Sequence, residues 1–145
     1  MYKNILIPTD GTVLSESALE KGLIFAREIG ARIVVMTTVE PAPMVVMASV
    51  QISEMQGRYH QHAADTAKQL LDKAQAKAKA MGVACETALV EDDHPYQAII
   101  DTAAKRGCDL IAMASHGRRG IAALVLGSET TKVLTHSTIP VLVFR

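Results

Sequence analysis

The stretch Cys108-Asp109-Leu110-Ile111-Ala112-Met113-Ala114-Ser115-His116-Gly117, with Gly127-Ser128 following after nine intervening residues, decides how this chain is read. Cys108 to Ala114 is a short apolar run of the kind that forms a buried strand, and Ser128 to His136 reads as a helix opening on Gly127-Ser128. A strand end, a loop of small residues and a helix start in succession make a place where an α/β protein holds an anion. Small residues let backbone N–H groups come close, and the helix N-terminus adds a partial positive charge worth about 0.3–1 kcal/mol.

Working outward, strand and helix patterns alternate along the whole chain, which predicts an α/β fold: an open five-stranded, mostly parallel sheet with helices on both faces. Ile5-Leu6-Ile7 is the first strand, stopped by Pro8. Ser15 to Ile29 carries Ala18, Leu19, Gly22, Leu23 and Ala26 at helical spacing and ends at Gly30. Arg32 to Val39 is a β-branched run suited to a doubly buried strand. A long helix from about Ser53 to Met81 has Ala63, Ala67, Leu70, Leu71, Ala74 and Ala78 as its inner stripe. Val83 to Val90 is the third strand, Pro95 opens a short helix, and Leu110–Ala114 and Val141–Phe144 are the last two strands. Between the second strand and the long helix, Ala42 to Val50 is too apolar for an ordinary loop and reads as a lid or partner contact.

A chain of 145 residues makes one domain, residues 1–145, able to bury about 68–70% of its unfolded surface without staples. Lys+Arg and Asp+Glu balance at 15 each, so no global field draws it to nucleic acid or an anionic membrane. Cys85 and Cys108 lack CxxC spacing, are both placed inside strands, and fit reduced packing thiols. The apolar start before Pro8 is too short for a signal segment or a membrane span. These readings put the protein in the cytoplasm.

Ligands of open parallel sheets bind at the carboxyl ends of the strands, where strand order reverses. Three strand ends carry suitable residues: Pro8-Thr9-Asp10-Gly11, Thr38-Val39-Glu40 and Ala114-Ser115-His116-Gly117. If the first strand lies beside the fourth, all three line one crevice. Asp10 also reads as a plain turn residue, Val39 as the end of a core strand, and Ser128 as an N-cap. His116 reads better as ordering its loop than as a catalyst, since no orienting carboxylate is evident. Arg118 and Arg119 read as a solvated pair rather than phosphate ligands. His60 and His62 share no helix face and read as surface histidines, not a metal site. Met44, Met47 and Met55 serve equally as a pliable contact surface or as gap filling.

The opening Ile5-Leu6-Ile7-Pro8-Thr9-Asp10-Gly11, the run from Cys108 to Gly120, the Leu126-Gly127-Ser128 that follows and the closing Ile139-Pro140-Val141-Leu142-Val143 together resemble the universal stress protein family, across essentially the whole chain. The resemblance implies a Rossmann-like sheet of order 3-2-1-4-5, a homodimer through the last strand and, in the ATP-binding branch, a Gly-x2-Gly-x9-Gly motif followed by Ser or Thr. This chain keeps the spacing with Gly117, Gly127 and Ser128 but has Ala114 at the first position. Alanine still offers its N–H, yet is barred from positive φ, so the site survives only if that position needs close approach alone.

Carried over by position, Asp10 lies near the ribose or adenine side, and the Val39 backbone meets the adenine edge. Gly117, Gly127, Ser128 and the Glu129 N–H cradle the phosphates, and Pro8, Thr9, Ala114, Ser115 and His116 complete the nucleotide-binding set. The implied ligand is ATP, AMP or ADP, with magnesium or manganese offsetting triphosphate charge. The leading expectation is an ATP-binding dimeric regulatory protein of the stress response with an unidentified protein partner, not an enzyme beyond slow ATP hydrolysis. The alternatives are a dimeric interaction module that binds no nucleotide and a slow ATPase. The apolar edge Val141, Leu142, Val143 and Phe144 supports pairing with a second copy.

Overall fold

The computed structural model describes residues 1–42, 49–117 and 125–145. Five strands, β1 (Asn4–Pro8), β2 (Arg32–Val39), β3 (Cys85–Glu91), β4 (Leu110–Ala114) and β5 (Val141–Phe144), alternate with α1 (Val13–Ile29), α2 (Val50–Ala80), α3 (Pro95–Lys105) and α4 (Ser128–His136). All four pairings are parallel and the order is β3-β2-β1-β4-β5. The expected lid from Ala42 to Val50 lies largely outside the described residues, as do Arg118 and Arg119.

Side-chain alternation divides the core into two layers. Ile5, Ile7, Ile33, Val35, Leu110 and Ala112 pack against Leu19, Leu23 and Ala26 of α1 and Leu71, Ala74 and Ala78 of α2. On the other face, Leu6, Val34, Met36, Ile111 and Met113 meet Ala98, Ile99 and Ala103 of α3 and Val133 of α4. Both faces of β1 and β4 are buried, so these strands read as continuous apolar runs. Helix α1 approaches β1 closely: a Cβ at Gly22 would lie 2.4 Å from Cδ1 of the fully buried Ile7. Gly22→Val is expected to lower stability by about 1–3 kcal/mol through overpacking, read as a reduced urea midpoint.

Several boundaries differ from the sequence expectation. Thr12 accepts the Ser15 N–H as N-cap, so α1 begins at Val13 rather than Ser15. Ser49 caps α2 in the same way, starting it at Val50 rather than Ser53. Strand β3 begins two residues later than expected and runs to Glu91. Cys108 precedes β4 instead of lying in it; it is buried, and desolvation raises its thiol to about 11. Both cysteines are free. In α2, Ala67, Leu71, Ala74 and Ala78 are buried, whereas Ala63 and Leu70 are only partly so. At 1.5 Å per residue its 31 residues span about 46 Å, against about 26 Å for the eight residues of β2. No residue from Val50 to Thr66 is buried, so its first turns overhang the sheet.

At the opposite end of the sheet, Asp109 clasps the start of the chain. Its carboxylate accepts the backbone N–H groups of Lys3 (2.9 Å) and Asn4 (3.0 Å), while the Asn4 amide donates to the carbonyl of Arg106 (2.9 Å). Desolvation works to raise the Asp109 carboxyl, but these hydrogen bonds outweigh it and hold it below its ordinary value. A depressed carboxyl stabilises the fold above its unfolded-state pKa and loses that contribution as pH falls through its folded value. Asp109→Asn is therefore expected to flatten the acid limb of a stability-versus-pH profile below about pH 4, measured by denaturant titration.

Candidate functional site

The crevice originates in the phase of the β1 backbone. Thr9 donates its N–H to the carbonyl of Met36 (2.8 Å), so odd-numbered residues of β1 face β2; the carbonyl of Asn4 accepts from Asp109 (2.9 Å), so even-numbered ones face β4. Pro8 is in the β4-facing phase and has no N–H to give. Pairing of β1 with β4 stops at Leu6–Ile111, whereas pairing with β2 continues to Pro8–Met36. The two central strands part just where the chain leaves β1 for α1 on one face and β4 for α4 on the other, the switch point at which open α/β sheets bind ligands.

The loop after β1 is held by hydroxyls. Thr9 and Ser15 are buried with their oxygens 3.1 Å apart, and the Asp10 N–H reaches Ser15 Oγ at 3.3 Å. Asp10 Oδ1 accepts the Thr12 N–H (3.0 Å) and hydroxyl (2.6 Å). The residue is thus a turn-former, and its other oxygen reaches across the crevice: a Cβ on Gly117 would stand 2.9 Å from Asp10 Oδ2.

The loop after β4 is clamped to the start of α4. Gly127 donates its N–H to the Ser115 carbonyl (2.7 Å), and buried Thr130 donates its hydroxyl to the Ala114 carbonyl (3.0 Å). A Cβ on Gly127 would lie 3.2 Å from both His116 Cα and the Ser115 carbonyl oxygen. Gly127 has φ of −59°, and neither it nor Gly117 has positive φ. At Gly127 glycine is needed for space against backbone atoms, not for left-handed backbone, whereas at Gly117 the atom met is the end of the Asp10 side chain.

Ala114 stands at the first position of the motif. It is the last residue of β4, paired with Phe144 and buried, in strand conformation where alanine carries no penalty. Gly127 is the N-cap of α4 and makes no side-chain cap bond, so Ser128 is the first helical residue and not the cap. Among the described residues, no side chain caps the first turn of α4. Glu129 directs its carboxylate elsewhere, accepting the Tyr96 N–H at the start of α3 (2.8 Å) and pairing with Lys132 (3.2 Å).

His116 hydrogen-bonds through Nδ1 to the neighbouring Ser115 hydroxyl (3.0 Å), as a loop-ordering residue does, and its buried Nε2 has no partner among the described residues. Val39 requires a correction. Its carbonyl accepts the Asp92 N–H (3.1 Å), so its backbone faces β3. The adjacent Thr38 is in the opposite phase, shared with Met36, and turns its N–H and C=O toward the crevice beyond the end of β1. Periodicity along β2 could not reveal this, because one residue of phase depends on which neighbour sits on which side. No group of three metal-ligating side chains occurs among the described residues. His62 is exposed, whereas His60 is partly buried and contacts Glu91 of β3 at 3.2 Å.

The whole chain, residues 1–145, matches the profile of the Universal stress protein family. A universal stress protein of Thermus aquaticus is 30% identical over 146 residues, covering all of both chains. Among solved structures, a universal stress protein in complex with cAMP superposes with a TM-score of 0.71 at 24% identity, covering 99% of this chain and 97% of that one. One from Archaeoglobus fulgidus in complex with dAMP gives 0.67 at 18% identity, covering 99% and 98%.

Proposed function

Because the chain belongs to the universal stress protein family, we propose that it is a cytoplasmic, dimeric regulatory protein, one domain throughout, that binds an adenine nucleotide where β1 parts from β4. The observation that carries this reading is the N-terminus of α4, which no described side chain caps, tied to the end of β4 through Gly127 and Thr130 beside glycines that let the loops approach closely. Its phosphates sit on the N–H groups of Ser128 and Glu129, next to Ser115, His116 and Gly117, with Ala114 beneath. The base lies toward Pro8, Thr9 and Thr38, and Asp10 supplies a carboxylate beside the glycine loop. Solved relatives of the same fold holding cAMP and dAMP support an adenine nucleotide as the ligand.

ATP is the nucleotide proposed, with AMP or ADP as lesser ligands. Magnesium or manganese offsets triphosphate charge in a chain whose acids and bases balance. The role proposed is binding and not turnover, since His116 is oriented by a serine and by no described carboxylate. Calorimetric titration of the purified protein with ATP and magnesium is expected to show one saturable site per chain. No binding at millimolar ATP would leave the dimeric adaptor as the better reading. Repeated ATP turnover that disappears in His116→Ala would instead make the protein an ATPase.

A further inference from the structure

The sheet ends on its other side at β3, whose outer edge no described strand covers. Ala84 accepts the Ile33 N–H and Asp92 donates to Val39, so even-numbered residues of β3 face β2. The N–H and C=O groups of Thr87 and Leu89 therefore point outward, while the outward carbonyl of Cys85 is taken by the Gln75 amide (3.2 Å). Beside this edge runs a groove of about 420 Å³ between β3 and α3, left open because Ala88, Ala98 and Thr102 are small.

The ends of this groove differ in charge. Helix α3 runs antiparallel to β3, so Lys105 and Arg106 lie at the start of the strand, where Arg106 meets Glu86 at 3.1 Å. Glu91 and Asp92 lie at its finish. Exposed Asp101 stands one helical turn before Lys105. A partner of uniform charge would meet one favourable end and one hostile end. A second copy of the same edge, turned about a twofold axis through the middle of β3, meets both ends well: basic end faces acidic end, and Asp101 of each helix faces Lys105 of the other.

We propose that the β3 edge with its α3 groove is a self-association surface, where two copies join their sheets by antiparallel pairing of Thr87 and Leu89 and by reciprocal Asp101–Lys105 contacts. A continuous sheet across two copies removes the unpaired edge that β3 otherwise presents. The surface is independent of β5 and of nucleotide; a chain whose β5 edge is blocked pairs once through β3, and a β5 dimer, with a β3 edge at each end, joins others end to end.

Sedimentation equilibrium of the full chain at low salt, from micromolar to millimolar concentration, tests this. With β5 pairing blocked by Val143→Pro, the chain is expected to show a reversible doubling of mass, and the wild type growth past the dimer into an end-to-end series. Thr87→Pro deletes an outward N–H twice per twofold contact without touching the ladder to β2, and should weaken the doubling about tenfold or more. Lys105→Glu, on an exposed helix position, should weaken it without risk to the fold, and Asp101→Lys combined with Lys105→Glu should restore it. A mass that never doubles, a doubling indifferent to Thr87→Pro and Lys105→Glu, or a charge swap that fails to rescue would overturn the proposal.

Discussion

Gly127→Val is expected to reduce ATP affinity at least about 100-fold while the protein remains folded, equivalent to roughly 2.7 kcal/mol of lost binding. The new Cβ would stand 3.2 Å from His116 Cα and from the Ser115 carbonyl oxygen, both backbone atoms that a rotamer change cannot clear. The β4 loop must then move off the start of α4, breaking the 2.7 Å Gly127–Ser115 bond and misdirecting the first-turn N–H groups. Core layers on either face of the sheet are untouched by the change, so a cooperative unfolding transition should persist, shifted by about 1–3 kcal/mol. Isothermal titration and urea denaturation on the same preparation separate the two effects. Ala114→Gly is the informative control: alanine already sits in strand backbone, so the substitution should leave affinity within about threefold and cost about 0.5–1 kcal/mol of stability. Unchanged ATP binding by Gly127→Val would move the phosphates away from α4.

The second large effect is expected from Val143→Pro, which should convert a dimer to a monomer in light scattering. Pro140 and Phe144 direct their carbonyls to β4, accepting from Ile111 (2.9 Å) and Ser115 (2.8 Å), so Val143 lies in the alternate phase with its N–H on the open side of β5. Proline there leaves the inner ladder intact and removes a donor that an added strand requires. All four β5 residues are only partly buried, leaving apolar surface for a second copy to cover. A variant that stays dimeric would place the β5 edge outside the interface.

Much of this was legible in the sequence because burial imposes strong periodicity. β2, β4, α4 and β5 run where their apolar runs and caps place them, and the sheet has the order implied by the family resemblance. What stayed hidden depended on phase and on contacts between distant segments. Val39 and Thr38 are equally plausible at a strand end until the β3 neighbour is known, and Asp92 then occupies the Val39 carbonyl. Ser128 resembles an N-cap by type, but Gly127 takes that position because it must pass close to Ser115 and His116. The Glu129 carboxylate, in a first turn where it would repel phosphate, is drawn away by the Tyr96 N–H, a partner 33 residues distant.

The overhang of α2 carries a consequence for motion. Backbone hydrogen bonds from Val50 to Thr66 close turns that bury no side chain fully, with His60 touching β3 through the Glu91 carboxylate, and Gly57 within them weakens helix formation further. Opening of those turns is governed by fraying, while turns from Ala67 onward open only with the core layer that Leu71, Ala74 and Ala78 share with β2. Amide exchange along this single helix should therefore fall into two regimes, fast and graded up to Thr66 and slow beyond it. The helix is two mechanical bodies in one continuous element, a rigid half belonging to the sheet and a compliant half standing above it.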